Sequence, residues 1–395
     1  MLLLRKITKR GFGYTPYVWS SSSIFSKDKK TAKKIEGFEN RVTKIVSSDN
    51  HSAILTADGE LFTWGDNNYG QLGVKQDSKK VKSADEPTLV SYFKENNIKV
   101  VDLALGKHHT LALDDKGRVF SWGRGIMSRV MGISILFPSA LALGHPKLQN
   151  LSSPKPIAKF RGLPIGQIST GNHFALALAQ DGDLHVWGRG EFGVLGFENR
   201  EEKEPVPNPY INDFVKGRPG VGIKKIESCS DFSSVLLTDG TVLGFGNNDQ
   251  GNLGLGITQS VDMCDSIQIP MQMRFEEEED LKIEDIDLAE CTSAVKTEDG
   301  RIFFAGQKLY YYPQIFEIDY DKHKVSTFCS SDRGVAVVTK ENRLFYRGNF
   351  WSGKKIDENI DTGIIEANIS NAFNDKKIVQ IGGKYGVKWA LVDER

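Results

Sequence analysis

Several features are scarce in this chain, and each scarcity removes a class of protein. No apolar run approaches the roughly 20 residues that a membrane-crossing helix needs. The best, ISILFPSALALG at 133–144, falls well short and is broken by Pro138. Cysteine is sparse: Cys229, Cys264, Cys291 and Cys329 are scattered without C-x-x-C spacing, which points away from a zinc site and from a disulfide framework. Neither charge sign is in excess, since 51 Lys plus Arg balance 51 Asp plus Glu, so nothing chain-wide draws the protein to nucleic acid or anionic lipid. The motif G-x-x-x-x-G-K-S/T is missing, as are paired carboxylates, a nucleophile elbow and a ligand cluster. No cofactor and no covalent chemistry are expected.

Acidic residues are also lacking before Asp28, in a stretch that carries Arg5, Lys6, Lys9 and Arg10. Residues 1–13, MLLLRKITKRGFG, have the basic, acid-free character of a short mitochondrial targeting segment. A merely disordered basic end is the alternative. Residues 14–395 then form a single domain.

Glycine is abundant, at 39 residues, and its placement is regular. Aligned on Asp-Gly, the chain repeats: ILTADGELFTWG at 54–65, LALDDKGRVFSWG at 111–123, LALAQDGDLHVWG at 176–188, VLLTDGTVLGFG at 235–246, AVKTEDGRIFFAG at 294–306 and VVTKENRLFYRG at 337–348. A turn residue (Gly59, Gly117, Gly182, Gly240, Gly300, Asn342) is followed six residues later by a closing glycine (Gly65, Gly123, Gly188, Gly246, Gly306, Gly348). Apolar alternation on both sides of a turn that needs positive φ describes a β-hairpin. Eight residues before each turn residue lies a second turn motif: SSDNHS, LGKHHT, STGNHF, SCSDFS, LAECTS and CSSDRG.

The closing glycines are 58, 65, 58, 60 and 42 residues apart, each interval suiting one small antiparallel sheet. Sheets repeated in this way predict a β-propeller rather than a solenoid, which would show capping repeats at both ends. The two ends instead resemble halves of one unit. The segment at 382–395, GGKYGVKWALVDER, stops where other units turn, and the missing partner strand is Tyr17-Val18-Trp19-Ser20, with Ser20 in the place of the closing glycine. The expected fold is all-β: six complete blades and a seventh closed by N- and C-terminal strands, which removes open edges.

WGDNNYGQLG at 64–73, WGRGEFGVLG at 187–196 and FGNNDQGNLG at 245–254 resemble the repeat of the regulator of chromosome condensation family. Blades five and six are worn, with Ala305 and Arg347 where an aromatic belongs. The resemblance implies a seven-bladed propeller that acts by binding proteins. The short chain and basic leader look most like the mitochondrial branch of that family. This implies a guanine-nucleotide exchange factor for an inner-membrane dynamin-like GTPase that promotes mitochondrial fusion. The alternative is a scaffold in a mitochondrial rRNA and ribosome-assembly module.

The family's exchanger uses a wedge after its third W-G-like motif, which falls here on Trp122-Gly123. The expansion RGIMSRVMGISILFPSALALGHP follows it, making Arg124, Met127 and Arg129 candidate partner residues. A second reading stays open: GRG joined directly to ALALGHP would restore a near-standard repeat, so part of 125–140 would be a sequence-boundary error. Where the resemblance expects aspartates that support exchange, this chain holds Lys107 and His173. Two further loops are candidates, 197–220 and the acidic 273–290 with Glu276, Glu277 and Glu278, although solvated loops of this kind are commonly inert. The repeat histidines His51 and His109 are expected to bond blade backbone. Trp64, Trp122 and Trp187 are expected to pack between blades.

Overall fold

The computed structural model describes residues 13–20, 32–74, 82–125, 142–145, 149–197, 206–213, 220–256, 266–276, 281–332, 334–348, 363–367, 370–373, 375–384 and 387–395. They form seven four-stranded antiparallel sheets. Blade one comprises Val42–Ser47, His51–Thr56, Leu61–Asp66 and Ser83–Leu89. Blades two to six repeat that order, starting at Val100, Ile165, Ile223, Ile283 and Val325. The first strand of each blade lies against the first strand of the next, all the way round. These seven strands therefore surround a common axis.

Blade seven is assembled from both ends of the chain. Its order is Lys33–Lys34, Thr15–Ser20, Val387–Asp393 and Lys377–Lys384, with Tyr17 opposite Ala390 and Val18 opposite Trp389. Glu394 secures the closure by accepting hydrogen bonds from Thr15 Oγ1 (2.9 Å), Tyr17 Oη (2.8 Å) and Lys34 Nζ (3.2 Å). Tyr17 and Trp19 are buried and meet the Phe373 ring edge-on. The closing strand is two residues longer than Tyr17–Ser20. Residues 1–12 lie outside the described residues.

Sterics account for the repeated glycines. Gly65 has φ +107°, and a Cβ there would stand 2.5 Å from Asn50 O and 2.8 Å from His51 Cα. The closing glycine lets the third strand pass beside the turn that begins the second. The later Leu-Gly pair answers to the following blade. Trp122 is fully buried and donates from Nε1 to Gln71 O at 2.9 Å, while a Cβ on Gly73 would stand 2.5 Å from that same Nε1. Trp187 does the same with Ala142 O at 2.8 Å. The tryptophans do pack between blades.

The worn positions are filled from elsewhere in the chain. At Ala305 there is no ring to cover Gly254, and Met273 and Pro313 occupy the space beside it. At blade six, the Arg347 guanidinium lies 5.1 Å from the rings of both Phe304 and Tyr310 and donates to Tyr310 Oη at 2.5 Å. A cation–π stack takes the place of aromatic packing.

The acidic stretch 273–290 is not one solvated loop. Ile283–Ala289 is the innermost strand of blade five, so Asp285 and Asp287 belong to the axis. Of the proline-punctuated 197–220, Val206–Ile211 is the outer strand of blade three.

Candidate functional site

Strand direction sorts the loops onto two faces. The turn between the first and second strands, and the loop after the third, share one end of each blade. The Asp-Gly hairpins and the linkers between blades share the other. At the first end the turns are joined side by side. Asn50 Nδ2 donates to Lys107 O (2.9 Å), Lys107 N to Asn172 O (3.2 Å) and Asn172 N to Ser230 O (2.7 Å). This chain of bonds runs from blade one to blade four and holds one edge of the axial mouth.

Lys107, Arg124 and His173 are brought together on this mouth. Arg124 N donates to His108 O (2.8 Å), and Arg189 N to His173 O (3.0 Å). The Arg124 guanidinium lies 4.5 Å from the Tyr69 ring, which meets His108 edge-on at 4.9 Å. Pairing with the closing glycine shows a one-residue offset between blades. His109 opposes Gly123 and Phe174 opposes Gly188, so Lys107 is equivalent to Asn172, and His173 to His108. The two residues read from sequence as aspartate replacements thus stand in adjacent columns.

The mouth is divided by charge. Burial, then the Arg124 and Lys107 cations, push His108 down to about 4. Burial, then Arg189, His108, Lys107 and Arg124, push His173 down to about 4. Both imidazoles are neutral at pH 7, first because they are buried and then because this sector is already cationic. Around the rest of the mouth stand carboxylates: burial raises Asp49, Asp231 and Glu290, and Glu290 is raised further by Asp332, Asp49 and Asp231. Among the described residues, Lys107, Arg124 and Arg189 thus gather on blades two and three, with Glu191 paired to Arg189, and buried carboxylates gather on blade one and blades four to six, with Lys82 and Lys308 exposed among them.

Glu276 is elsewhere. It lines a cleft on the opposite face, between blades four and five, with Met271, Phe275, Lys282 and Tyr312. Met127, Arg129, Glu277 and Glu278 lie outside the described residues. Tyr69, Asn50, Asp231 and Glu290 were missed by sequence reasoning. The signal that could have found them is their shared position in the second turn motif or the loop after the closing glycine.

The buried histidines are structural, with one correction. His51 bonds hydroxyls rather than backbone: its Nδ1 lies 2.9 Å from Ser48 Oγ and its Nε2 lies 2.9 Å from Thr110 Oγ1 of blade two. Full burial pushes it down to about 3, so it bridges two blades as a neutral ring. His109 Nε2 and both His185 nitrogens have no partner among the described residues. A Cβ on Gly106 would fall 2.0 Å from the His109 ring, and His185 meets Phe160 edge-on at 5.3 Å.

Comparison with known proteins agrees with this architecture. Residues 20–312 match the RCC1-like domain. The chain is 30% identical over 234 residues to human E3 ubiquitin-protein ligase HERC2, covering 59% of the chain and 4% of that protein. It is 28% identical over 217 residues to the ultraviolet-B receptor UVR8 of Arabidopsis thaliana, covering 55% of the chain and 44% of the receptor. The chain thus spans less than half the length of these relatives. Among solved structures, Prp20p of Saccharomyces cerevisiae superposes with a TM-score of 0.78 at 17% identity, covering 100% of this chain and 95% of that one. Human WBSCR16 superposes with a TM-score of 0.74 at 16% identity, covering 96% and 100%. At such identities the likeness is one of fold.

Proposed function

The chain belongs to the RCC1-like domain family, and on that premise we propose that it is a guanine-nucleotide exchange factor that binds its GTPase at the charge-divided mouth. The observation that carries this reading is the division itself. A face on which a cation cluster at blades two and three adjoins buried carboxylates on other blades suits a folded protein of mixed surface charge. It suits a continuous phosphate backbone poorly, so the rRNA-module scaffold is the weaker reading. The solved structure of Prp20p is described with its binding to Gsp1p and histones, which makes a protein partner the natural one to test here.

Exchange requires no covalent step. The propeller needs only to bind the nucleotide-free GTPase more tightly than the nucleotide-bound form, and the equilibrium shifts by that difference. The expansion after Trp122-Gly123 leaves from this same mouth at Arg124, the position a wedge would require. The finer identity we propose is a mitochondrial protein acting on an inner-membrane dynamin-like GTPase, supported by the basic, acid-free leader.

Purified full chain at micromolar concentration is expected to accelerate release of labelled GDP from that GTPase. No acceleration overturns the exchange reading. Fractionation with protease protection tests the compartment separately.

A further inference from the structure

Blade three departs from blades one and four at one residue of the mouth. Phe192, in the loop after Gly188, has φ 60° and ψ 14°, a left-handed backbone that bulky residues rarely adopt. The residue is 45% exposed. The equivalent residue in blade one, Tyr69, is at ordinary φ and lies under Arg124. The loop itself is held firmly: a Cβ on Gly193 would stand 2.6 Å from Ile267 O of blade four. An exposed aromatic is thus held in the same loop as Arg189, where blade three meets blade four.

Of the cations on this sector, Lys107 is the loosely engaged one. Lys107 Nζ stands 3.7 Å from the Asp49 carboxylate, with both side chains over a third exposed, a long and solvent-screened pairing. Arg189 pairs with Glu191 two residues away, and its Nε is buried with no hydrogen-bond partner among the described residues. A weakly held, exposed ammonium can take a carboxylate at little cost. An exposed aromatic three residues from Arg189, on a face that also carries Lys107, has the composition of an interface hot spot.

We propose that the mouth sector of blades two and three, with Phe192 as apolar anchor and Lys107, Arg124 and Arg189 as cations, docks a carboxylate-bearing segment of a protein partner. The identity of that partner as the GTPase rests on the exchange reading; the chemistry of the segment does not. Nucleic acid is disfavoured by geometry. A phosphate backbone carries charge at every step and would run from these cations onto Asp231 and Glu290, whereas a short peptide can set its carboxylates on one sector and turn away.

The test uses the full chain and two labelled probes, a peptide of four glutamates interrupted by one phenylalanine, and a hexauridylate RNA. The peptide is expected to bind, more weakly as sodium chloride rises, and to lose at least about tenfold in affinity with the K107E/R189E pair or with F192S. K282E, on the opposite face, is expected to leave binding unchanged. Equal binding by wild type and the mouth variants, equal loss with K282E, or tighter binding of the RNA than of the peptide overturns the proposal. Should K107E/R189E fail to fold by circular dichroism, K107Q and the salt dependence of the wild type decide, and a salt-independent affinity overturns it. A chain that binds the peptide without releasing GDP refutes the exchange reading alone.

Discussion

Lys384 Nζ lies 2.6 Å from Glu227 Oε1, which pairs the innermost strand of blade seven with that of blade four across the axis. The pair sits in a larger set. Lys225 Nζ is 2.8 Å from Asp285 Oδ1, 3.8 Å from Glu227 Oε2 and donates to Ile286 O. Asp287 Oδ2 accepts from Ser330 N at 2.6 Å. Burial opposes the charged form of Lys384, but Glu227, Cys229 and Asp287 outweigh it and hold the ammonium well above its usual range. Burial likewise opposes the Glu227 carboxylate, and Lys384 and Lys225 outweigh it downward.

Removing one partner of this pair leaves a charge facing the axis. K384A is expected to destabilise the propeller by about 2–3 kcal/mol, the low end for a broken buried pair, since about a fifth of each side chain still reaches solvent. K384M/E227Q is expected to recover most of that loss. Urea melts of the three proteins decide; a double variant as unstable as K384A would mean that the pair is not the cause.

Asp287 has the opposite sign. Burial, with Glu227 beside it, raises its carboxyl from the ordinary 3.8 to about 6. The native state then holds this proton more tightly than the unfolded chain does, so its stabilising effect is full below about 4 and is lost as pH rises to about 6. Glu227, whose folded pKa is lowered, loses its contribution only as pH falls through that lowered value. D287N keeps an acceptor for Ser330 N. It is expected to flatten the stability slope between about pH 4 and 6 and to stabilise the chain at pH 7 by on the order of 1–2 kcal/mol. An unchanged slope in D287N would refute the assignment.

The Leu-Gly contact between blades predicts a severe small-to-large effect. G73A forces positive φ on a residue with a Cβ and drives that carbon into Trp122. The expected loss is about 2–4 kcal/mol, accompanied by a changed near-ultraviolet tryptophan signal. G37A has no neighbour within 4 Å to meet and carries only the positive-φ penalty, so it is expected to cost clearly less. Equal losses would remove the packing argument.

Closure of blade seven can be tested by trimming. A chain beginning at Gly13 is expected to melt as the full chain does. One beginning at residue 21 lacks buried Tyr17 and Trp19 and is expected to lose at least about 3 kcal/mol. E394A, which frees Thr15, Tyr17 and Lys34 together, is expected to cost about 1–2 kcal/mol. Identical melting of both truncated chains would show that the N-terminal strand does not close the ring.

The repeat was legible because its cause is local. A closing glycine such as Gly65 is demanded by the turn fourteen residues before it in the same blade, and that demand recurs at a fixed interval. Arg347 and Ala305 could be recognised from sequence only as departures. What replaces the missing rings comes from other elements: Phe304 and Tyr310 for one, Met273 and Pro313 for the other. The stretch around Asp285 and Asp287 read as a solvated acidic loop because a run of carboxylates in a linear chain looks the same whether water or Lys225 stands opposite.

The sequence by itself determined the seven-bladed ring and its closure by the two termini, because turn sterics and strand alternation act within a dozen residues. Only the tertiary structure decided which charges meet. Lys384 and Glu227 are 157 residues apart, Lys107 and Asp231 belong to different blades, and Glu276 faces the other way. Electrostatic partners are set by distance through space, and the ring fixes that distance only when it closes.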